Sequence, residues 1–422
     1  MKRILLIVLA SALCLNSGTT SAKDKYGWLK NAIETAETQV CSMAGKYIDE
    51  EKLPISTRTW YSEEDRAWQM GVKYDPELRP GKPFEEEHIF LNAPIDWRSG
   101  FFPGTLWLVY ALTGNQACAE YAKVYTNKLA SLRWVNSTHD LGFMVNCSYG
   151  NAELLAPADS LKPFLIQVAD NLCSRFNPEV GCIQSWNRNE RWNYPVIIDN
   201  MMNLDLLFHA YKLSGDEKYI DIAVKHADKT IANHFRDDFT SYHVVSYNDD
   251  GSVQMKCTHQ GRSDDSAWAR GQSWGLYGYT RCYAELGDEK YLDQAVNIAR
   301  MMMKKVKTKD RIPYWDYCAP KSDKTPRDAS AAAVAASAMV ELSTLAPHGR
   351  RYLKYAERII KSLASEQYLA EPGTNFDFIT KHSVTNMGNA SEVDACLNYA
   401  DYYFVEAIRR YMEVKKISYD KL

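Results

Sequence analysis

The chain lacks an excess of either charge: 50 Lys and Arg stand against 53 Asp and Glu, a formal net charge of −3 over 422 residues. Its basic residues are scattered, so the electrostatic footprint of a nucleic-acid binder is missing. Metal-ligand spacings are missing too. The nine histidines form no H-E-x-x-H or comparable cluster, and the ten cysteines contain no C-x-x-C pair. Neither a metal nor another cofactor is expected. Beyond residue 15 no apolar run approaches the ~20 residues that a membrane helix needs, so no membrane span is expected. Strand-like alternation is brief, as from Tyr242 to Tyr247.

Residues 1–22 read as a signal peptide. Lys2 and Arg3 supply the positive start, Ile4 to Leu15 the apolar stretch, and Thr20-Ser21-Ala22 a small-residue cleavage site. The remaining residues, 23–422, are expected to form one exported domain, with the periplasm as the expected compartment. Their nine cysteines are odd in number and dispersed, which fits small buried hydrophobes better than a disulfide framework. A single bridge such as Cys173 to Cys182 stays open.

What the chain has is helical periodicity. Asn203–Leu213, Tyr219–Ile231, Trp274–Leu286, Tyr291–Val306, Ala331–Leu342, Tyr352–Leu363 and Tyr402–Met412 each carry an apolar stripe. Ala210-Tyr211-Lys212-Leu213-Ser214-Gly215-Asp216-Glu217-Lys218-Tyr219 is echoed by Cys282-Tyr283-Ala284-Glu285-Leu286-Gly287-Asp288-Glu289-Lys290-Tyr291, with weaker echoes at Tyr110–Asn115 and around Gly349–Tyr352. In each echo a helix is expected to end at a glycine, which tolerates the left-handed C-cap, and a second helix to return antiparallel. The spacing is too uneven for an open solenoid. Roughly six pairs fit the length at ~15 residues per helix. The fold class is therefore all-α, a closed ring of helical hairpins whose inner helices, such as Ala331–Met339, are apolar nearly all round.

Aromatic residues are abundant, with 27 Tyr and 11 Trp. They fill helical cores, but they also stack on sugar faces. Two carboxylates sit among apolar neighbours: Asp140 in His139-Asp140-Leu141-Gly142-Phe143-Met144, and Asp199 in Ile197-Ile198-Asp199-Asn200. Burial raises a carboxyl pKa, and an acid titrating near neutrality can both give and take a proton. Each also has a bland reading, Asp199 as a helix cap and Asp140 as a locally satisfied turn residue. Asn200 could cap equally well, and Trp186, Trp192 and Tyr194 crowd the loop before Asp199. Gly142 would let backbone and ligand approach closely. Further on, Asp265 or Ser266 could cap a helix carrying Arg270 and Trp274 at i and i+4, a plausible clamp for a sugar or a cation–π helix contact. Trp97 opens another helix, and His243 and His259 are ambiguous between structure and chemistry.

Five segments in order resemble glycoside hydrolase family 88, the unsaturated glucuronyl hydrolases: D-W-R-S-G-F-F-P-G from Asp96, H-D-L-G-F-M from His139, I-I-D-N-M-M-N from Ile197, W-A-R-G-Q-S-W from Trp268, and P-R-D-A-S-A-A-A from Pro326. Family 105, acting on unsaturated rhamnogalacturonan products, shares part of this pattern, and H-D-L-G-F-M favours family 88. The resemblance implies an (α/α)6 barrel that removes a 4,5-unsaturated uronic acid from the non-reducing end of glycosaminoglycan oligosaccharides made by lyases. It also implies Asp199 as general acid/base, Asp140 as its essential partner, and Trp97, His139, Trp186, His243, Gln260, Arg270 and Trp274 around the unsaturated sugar. The partners expected are such oligosaccharides, the state a monomer or weak homo-oligomer. The serine-rich loop associated with sulfate contacts in some members is not evident near Asn386–Asp401, where Lys381, His382 and Ser383 could approach a sulfate instead. A non-catalytic sugar-binding ring and an α-solenoid scaffold are the rival readings.

Overall fold

The computed structural model describes residues 22–422, and the signal-peptide expectation lies outside the described residues but for Ala22. Helix α1 (Ala22–Lys46) leads into strand β1 (Leu53–Arg58), the short helix α2 (Glu63–Met70) and strand β2 (His88–Asn92), which pairs antiparallel with β1. Two helices follow, α3 (Phe101–Thr113) and α4 (Gln116–Asn127), and then a nine-residue π-helix (Gly142–Gly150) that runs into α5 (Asn151–Leu155). Helix α6 (Leu161–Cys173) returns from it. Beyond the short strands β3 (Phe176–Asn177), β4 (Cys182–Ile183) and β5 (Tyr194–Ile197) come α7 (Asn200–Ser214) and α8 (Lys218–His234). Strands β6 (Val244–Tyr247) and β7 (Val253–Cys257) precede α9 (Ala269–Leu286), α10 (Glu289–Lys305), α11 (Ala329–Leu345) and α12 (Arg350–Leu363). The hairpin β8 (Ser383–Asn386) and β9 (Ser391–Ala395) leads into α13 (Asn398–Lys415).

The helices close into a double ring. Inner helices touch in sequence: α3 the π-helix, the π-helix α7, α7 α9, α9 α11, α11 α13, and α13 α3 again. Each has an outer partner: α4, α6, α8, α10, α12 and, for α13, the first helix α1. This is an (α/α)6 barrel, sealed by packing the beginning of the chain against its end. Burial explains the layering. Every residue from Ala329 to Val340 in α11 is buried, because an inner helix meets neighbours on all sides. The outer α12 instead buries one stripe, Tyr352, Tyr355, Ala356, Ile359, Ile360 and Leu363.

Gly114, Gly215 and Gly287 end α3, α7 and α9 in the left-handed conformation, as the repeated turn predicts. The weaker echo at Gly349 has another cause. Gly349 opens α12 with φ −52°, and a Cβ there would lie 1.9 Å from the carbonyl oxygen of Ser343. Close backbone approach, not left-handedness, requires that glycine. No helix among the described residues is long and apolar enough to cross a membrane.

Candidate active site

The inner helices begin at one end of the barrel, and the residues singled out above gather there. Trp97 precedes α3, Asp140 precedes the π-helix, Asp199 is the residue before α7, and Arg270 is the second residue of α9. A cavity of about 350 Å³ is lined by Trp97, His139, Asp140, Trp186, Ile197, Asp199, His259, Gln260, Arg270, Thr385, Asn386, Asn389 and Ser391. Helix N-termini carry partial positive charge, so this end favours an anionic guest.

A small sheet positions Asp199. Strand β5 pairs with β6 so that Ile197 faces Val244, and the Ile198 N–H donates to the His243 carbonyl at 3.0 Å. That register sets His243 beside Asp199, with Nε2 3.5 Å from Oδ2. Pairing of β6 with β7 then folds the next loop back, and His243 Nδ1 accepts the backbone N–H groups of His259 and Gln260, each at 3.1 Å. With Nδ1 accepting twice, the proton resides on Nε2, the nitrogen facing Asp199. His243 is buried behind Asp199 and supports it rather than lining the cavity.

The Asp199 carboxylate does not cap α7: Asp199 has helical φ/ψ and no side-chain capping bond. Asn200 is no cap either, since its amide donates to the Ile183 carbonyl at 2.8 Å. Asp199 is 7% exposed, and its Oδ2 makes no hydrogen bond. A buried carboxylate oxygen without a donor is costly in a native structure; this one stands on the His243 side, while Asp199 as a residue lines the cavity.

Asp140 accepts a bond from Thr138 Oγ1 at 3.1 Å and lies 3.2 Å from His139 Nε2. Burial pushes its carboxyl above the ordinary carboxylate range; His139 pulls it down, and the charge of Asp199 pushes it further up. The two acids therefore sense each other. Asn203, one turn into α7, fastens their segments by accepting the Phe143 N–H at 3.0 Å. Gly142 is needed for that contact and not for a ligand: a Cβ there would lie 2.6 Å from Asn203 Cα.

Five buried polar atoms without a partner lie here: His139 Nδ1, Trp186 Nε1, Asp199 Oδ2, His243 Nε2 and Arg270 Nε. A second cavity, about 190 Å³, lies further along the inner helices around Asp205, Arg281 and Arg410. Its charges are matched internally, Arg281 to Asp205 at 3.0 Å and Arg410 to Glu341 at 2.7 Å.

The supposed clamp is divided. Arg270 lines the cavity, but its guanidinium holds the β8–β9 hairpin, donating to the carbonyls of Val384 at 2.5 Å and Thr385 at 2.8 Å and pairing with Asp328 at 3.2 Å. It lies over Trp268, 4.4 Å from the ring centroid, rather than over Trp274. Trp274 is 0% exposed, packs against Phe143 and Tyr403, and is absent from the cavity wall. Neither Asp265 nor Ser266 caps α9: that place is taken by Trp268, and Ser266 Oγ donates to Asp316 at 2.7 Å. Gln260 joins Arg270, its amide donating to the Thr385 carbonyl at 3.0 Å.

Lys381, His382 and Ser383 lie off the cavity wall. Lys381 donates to the Glu366 carbonyl at 2.7 Å, His382 pairs with Asp394 at 2.7 Å, and Ser383 is buried. The hairpin presents Thr385, Asn386, Asn389 and Ser391 instead, which the sequence reading did not select. Their signal is backbone strain: Ala390, Glu392 and Asp394 all have positive φ (48°, 51° and 57°), as non-glycine residues rarely do. Arg98 holds this strained segment through Glu392 at 2.8 Å. His259 also reaches the cavity, packed against Trp186 and Trp192, and burial lowers its pKa to about 4, so it is neutral at physiological pH.

Comparison with known proteins settles the lineage. Residues 80–414 match Glycosyl Hydrolase Family 88. The chain belongs to that family. An unsaturated glucuronyl hydrolase of Formosa agariphila is 43% identical over 319 residues, covering 75% of this chain and 80% of that protein. An unsaturated chondroitin disaccharide hydrolase of Streptococcus pneumoniae is 32% identical over 357 residues, 82% of this chain and 89% of that one. Among solved structures, an unsaturated glucuronyl hydrolase specific for heparin superposes with a TM-score of 0.84 at 44% identity, covering 93% of this chain and 99% of that one. As a family 88 member the chain is a glycosidase, and the family 105 reading falls away.

Proposed function

We propose that this cavity removes a 4,5-unsaturated uronic acid from the non-reducing end of lyase-generated glycosaminoglycan oligosaccharides. The reaction is hydration of the C4=C5 vinyl ether rather than direct displacement at the anomeric carbon. Asp199 donates its proton to C4, which leaves oxocarbenium character at C5. The ionised Asp199 then takes a proton from water as that water adds to C5. The hemiketal so formed opens, and the glycosidic bond is lost in the rearrangement. One carboxyl can serve as acid and then base if it returns to its starting state. Asp140 holds sugar hydroxyls and balances the charge of Asp199, while Trp97 and Trp186 offer aromatic faces to the rings.

The observation that carries this reading is Asp199 itself, buried, with one carboxylate oxygen unbonded, lining the cavity beside Asp140. The similar heparin-specific structure makes heparin-type disaccharides the first substrates to try. The test follows loss of the ultraviolet absorbance of the unsaturated uronate across lyase-made disaccharides differing in linkage and sulfation. Unchanged absorbance across the panel would overturn the proposal. Export is proposed from the charge, apolar stretch and small residues of residues 1–22, and N-terminal sequencing of the secreted protein tests it. A monomer or weak homo-oligomer is proposed, with sedimentation as its test.

A further inference from the structure

The barrel has a seam where α1, the outer helix at the chain's beginning, packs on α3, α4 and the final α13. At that seam Cys41 of α1 meets Cys118 of α4, sulfur to sulfur at 2.8 Å. Among the described residues no other two cysteine sulfurs are in contact: Cys257 faces Trp192 and Met255, and Cys396 faces Asn375. We propose that Cys41 and Cys118 are a dithiol pair that oxidises to a disulfide stapling the seam of the barrel.

A small adjustment of the side chains separates this contact from a bond of ~2.05 Å. The two thiols also differ in the way an exchange reaction requires. Cys41 is half-buried and reachable, whereas Cys118 is buried. Either sulfur can donate in this contact; contact with Cys118 lowers the Cys41 thiol, against burial and the charge of Glu37, while contact with Cys41 and burial push the Cys118 thiol up. Cys41, the one of the two that an oxidant can reach, is the attacking thiolate.

The oxidant is a dithiol–disulfide partner, of the kind that acts on exported proteins. The Cys41 thiolate attacks one sulfur of that disulfide, forming a mixed disulfide and releasing the other sulfur as a thiolate. Cys118 loses its proton and attacks Cys41 sulfur, closing the Cys41–Cys118 bond and releasing the second thiolate. The two protons end on the oxidant, which leaves as a dithiol. The two cysteines lie 77 residues apart, so the bond closes a large loop that contains Trp97 and all of α3. Large loops restrict the unfolded chain most.

The sequence reading kept a Cys173–Cys182 bridge open. All nine described cysteines are free thiols, and what sets Cys41 and Cys118 apart is their sulfur–sulfur contact, which neither Cys173 nor Cys182 makes.

The test uses the full chain made two ways: secreted through an oxidising compartment, and made in a reducing cytoplasm then treated with oxidised dithiothreitol. Each sample is unfolded in iodoacetamide, digested without reductant and mapped by mass spectrometry. The expected result is one linked peptide joining Cys41 to Cys118, lighter by two hydrogens than the two reduced peptides, with the remaining cysteines alkylated. Reduction should lower the thermal midpoint of the wild type by ~2 °C or more and leave that of C41S unmoved. Full alkylation of Cys41 and Cys118 in both samples overturns the proposal. So does a link from either to a different cysteine, or a midpoint that reduction does not change. None of these readouts depends on turnover, so they stand apart from the hydrolase test.

Discussion

His243 Nε2 stands 3.5 Å from Asp199 Oδ2 while His243 Nδ1 accepts two backbone N–H groups. One imidazole thus ties the loop after β7 to the carboxylate before α7, and its tautomer is set by the loop. His243→Asn keeps an acceptor for those N–H groups but withdraws the imidazole N–H that faces Asp199. The expected result is a fall in kcat of ~10-fold or more with KM little changed, the signature of an interaction that matters in the transition state. Equal kcat in variant and wild type would show that His243 only braces the loop.

Asp199 and Asp140 are predicted to act as a unit. Asp199→Asn should bind an unsaturated disaccharide in calorimetry yet turn over at least ~100-fold more slowly. Asp140→Asn should also fall steeply, because the Asp140 carboxyl, pushed up by burial and pulled down by His139, also senses the charge of Asp199. The double variant should be little worse than the worse single one, since residues acting together are not additive. Initial rates on one lyase-made disaccharide decide it; multiplicative losses would reject a shared role.

Much of this site was legible beforehand, for a physical reason. Helix periodicity and the glycine-ended turns depend on neighbours in sequence, and so pointed to a ring of hairpins. Asp140, Asp199 and Trp97 lie just before helix starts, and inner helix starts converge; Trp186 joins them from the loop between β4 and β5. What escaped the reading depends on distant pairing. The roles of Arg270 and Trp274 cannot be told apart by i, i+4 spacing, because the hairpin that claims Arg270 lies 114 residues away. Asn386, Asn389 and Ser391 reach the cavity only through a strained hairpin whose positive φ values have no glycine to announce them. The π-helix after Asp140 likewise leaves no mark in the apolar pattern.

Arg270 is predicted to act through the hairpin it holds. Arg270→Ala would strand Asp328 in the core and cost about 3–5 kcal/mol, read by chemical denaturation. Arg270→Lys keeps the charge but not the fork that reaches two carbonyls and a carboxylate at once. Its KM should rise by a larger factor than its kcat falls, because Asn386, Asn389 and Ser391 lose their fixed place. A kcat loss exceeding the KM effect would point to direct contact with the reacting sugar ring.

A pH-dependent stability term is expected from His226, which is fully buried and whose pKa burial lowers to about 3, with His234 and His139 adding to the effect. Its Nδ1 accepts the Ile183 N–H at 3.1 Å. The unfolded chain takes up this proton below pH ~6.5 and the folded chain does not. The contribution is therefore complete above that pH and lost as pH falls toward the folded value. His226→Asn keeps the acceptor and removes the titration. Between pH 7.5 and 5.0 the stability advantage of wild type over the variant should shrink by about 2 kcal/mol. A constant difference in denaturant midpoints across that range would contradict the buried, neutral state.

Gly142 offers a test of how closely the two acids must be registered. Its missing Cβ would meet Asn203 at Cα (2.6 Å), Oδ1 (2.8 Å) and the carbonyl oxygen (3.0 Å), mostly backbone that cannot swing aside. Gly142→Ala must therefore push the π-helix away from α7, and overpacking of this kind costs about 1–3 kcal/mol. The same displacement separates Asp140, two residues upstream, from Asp199, four residues before Asn203. Activity should then fall further than stability does, with a folded variant at 25 °C losing ~10-fold or more in kcat, since small misplacements of catalytic groups are expensive. Gly271→Ala makes the comparison. It too crowds a neighbour, Trp268 at 2.9 Å and Ile198 at 3.2 Å, but the atoms met there are side-chain atoms. If both variants lose stability alike and neither loses kcat, the spacing of the two carboxylates is not what Gly142 protects.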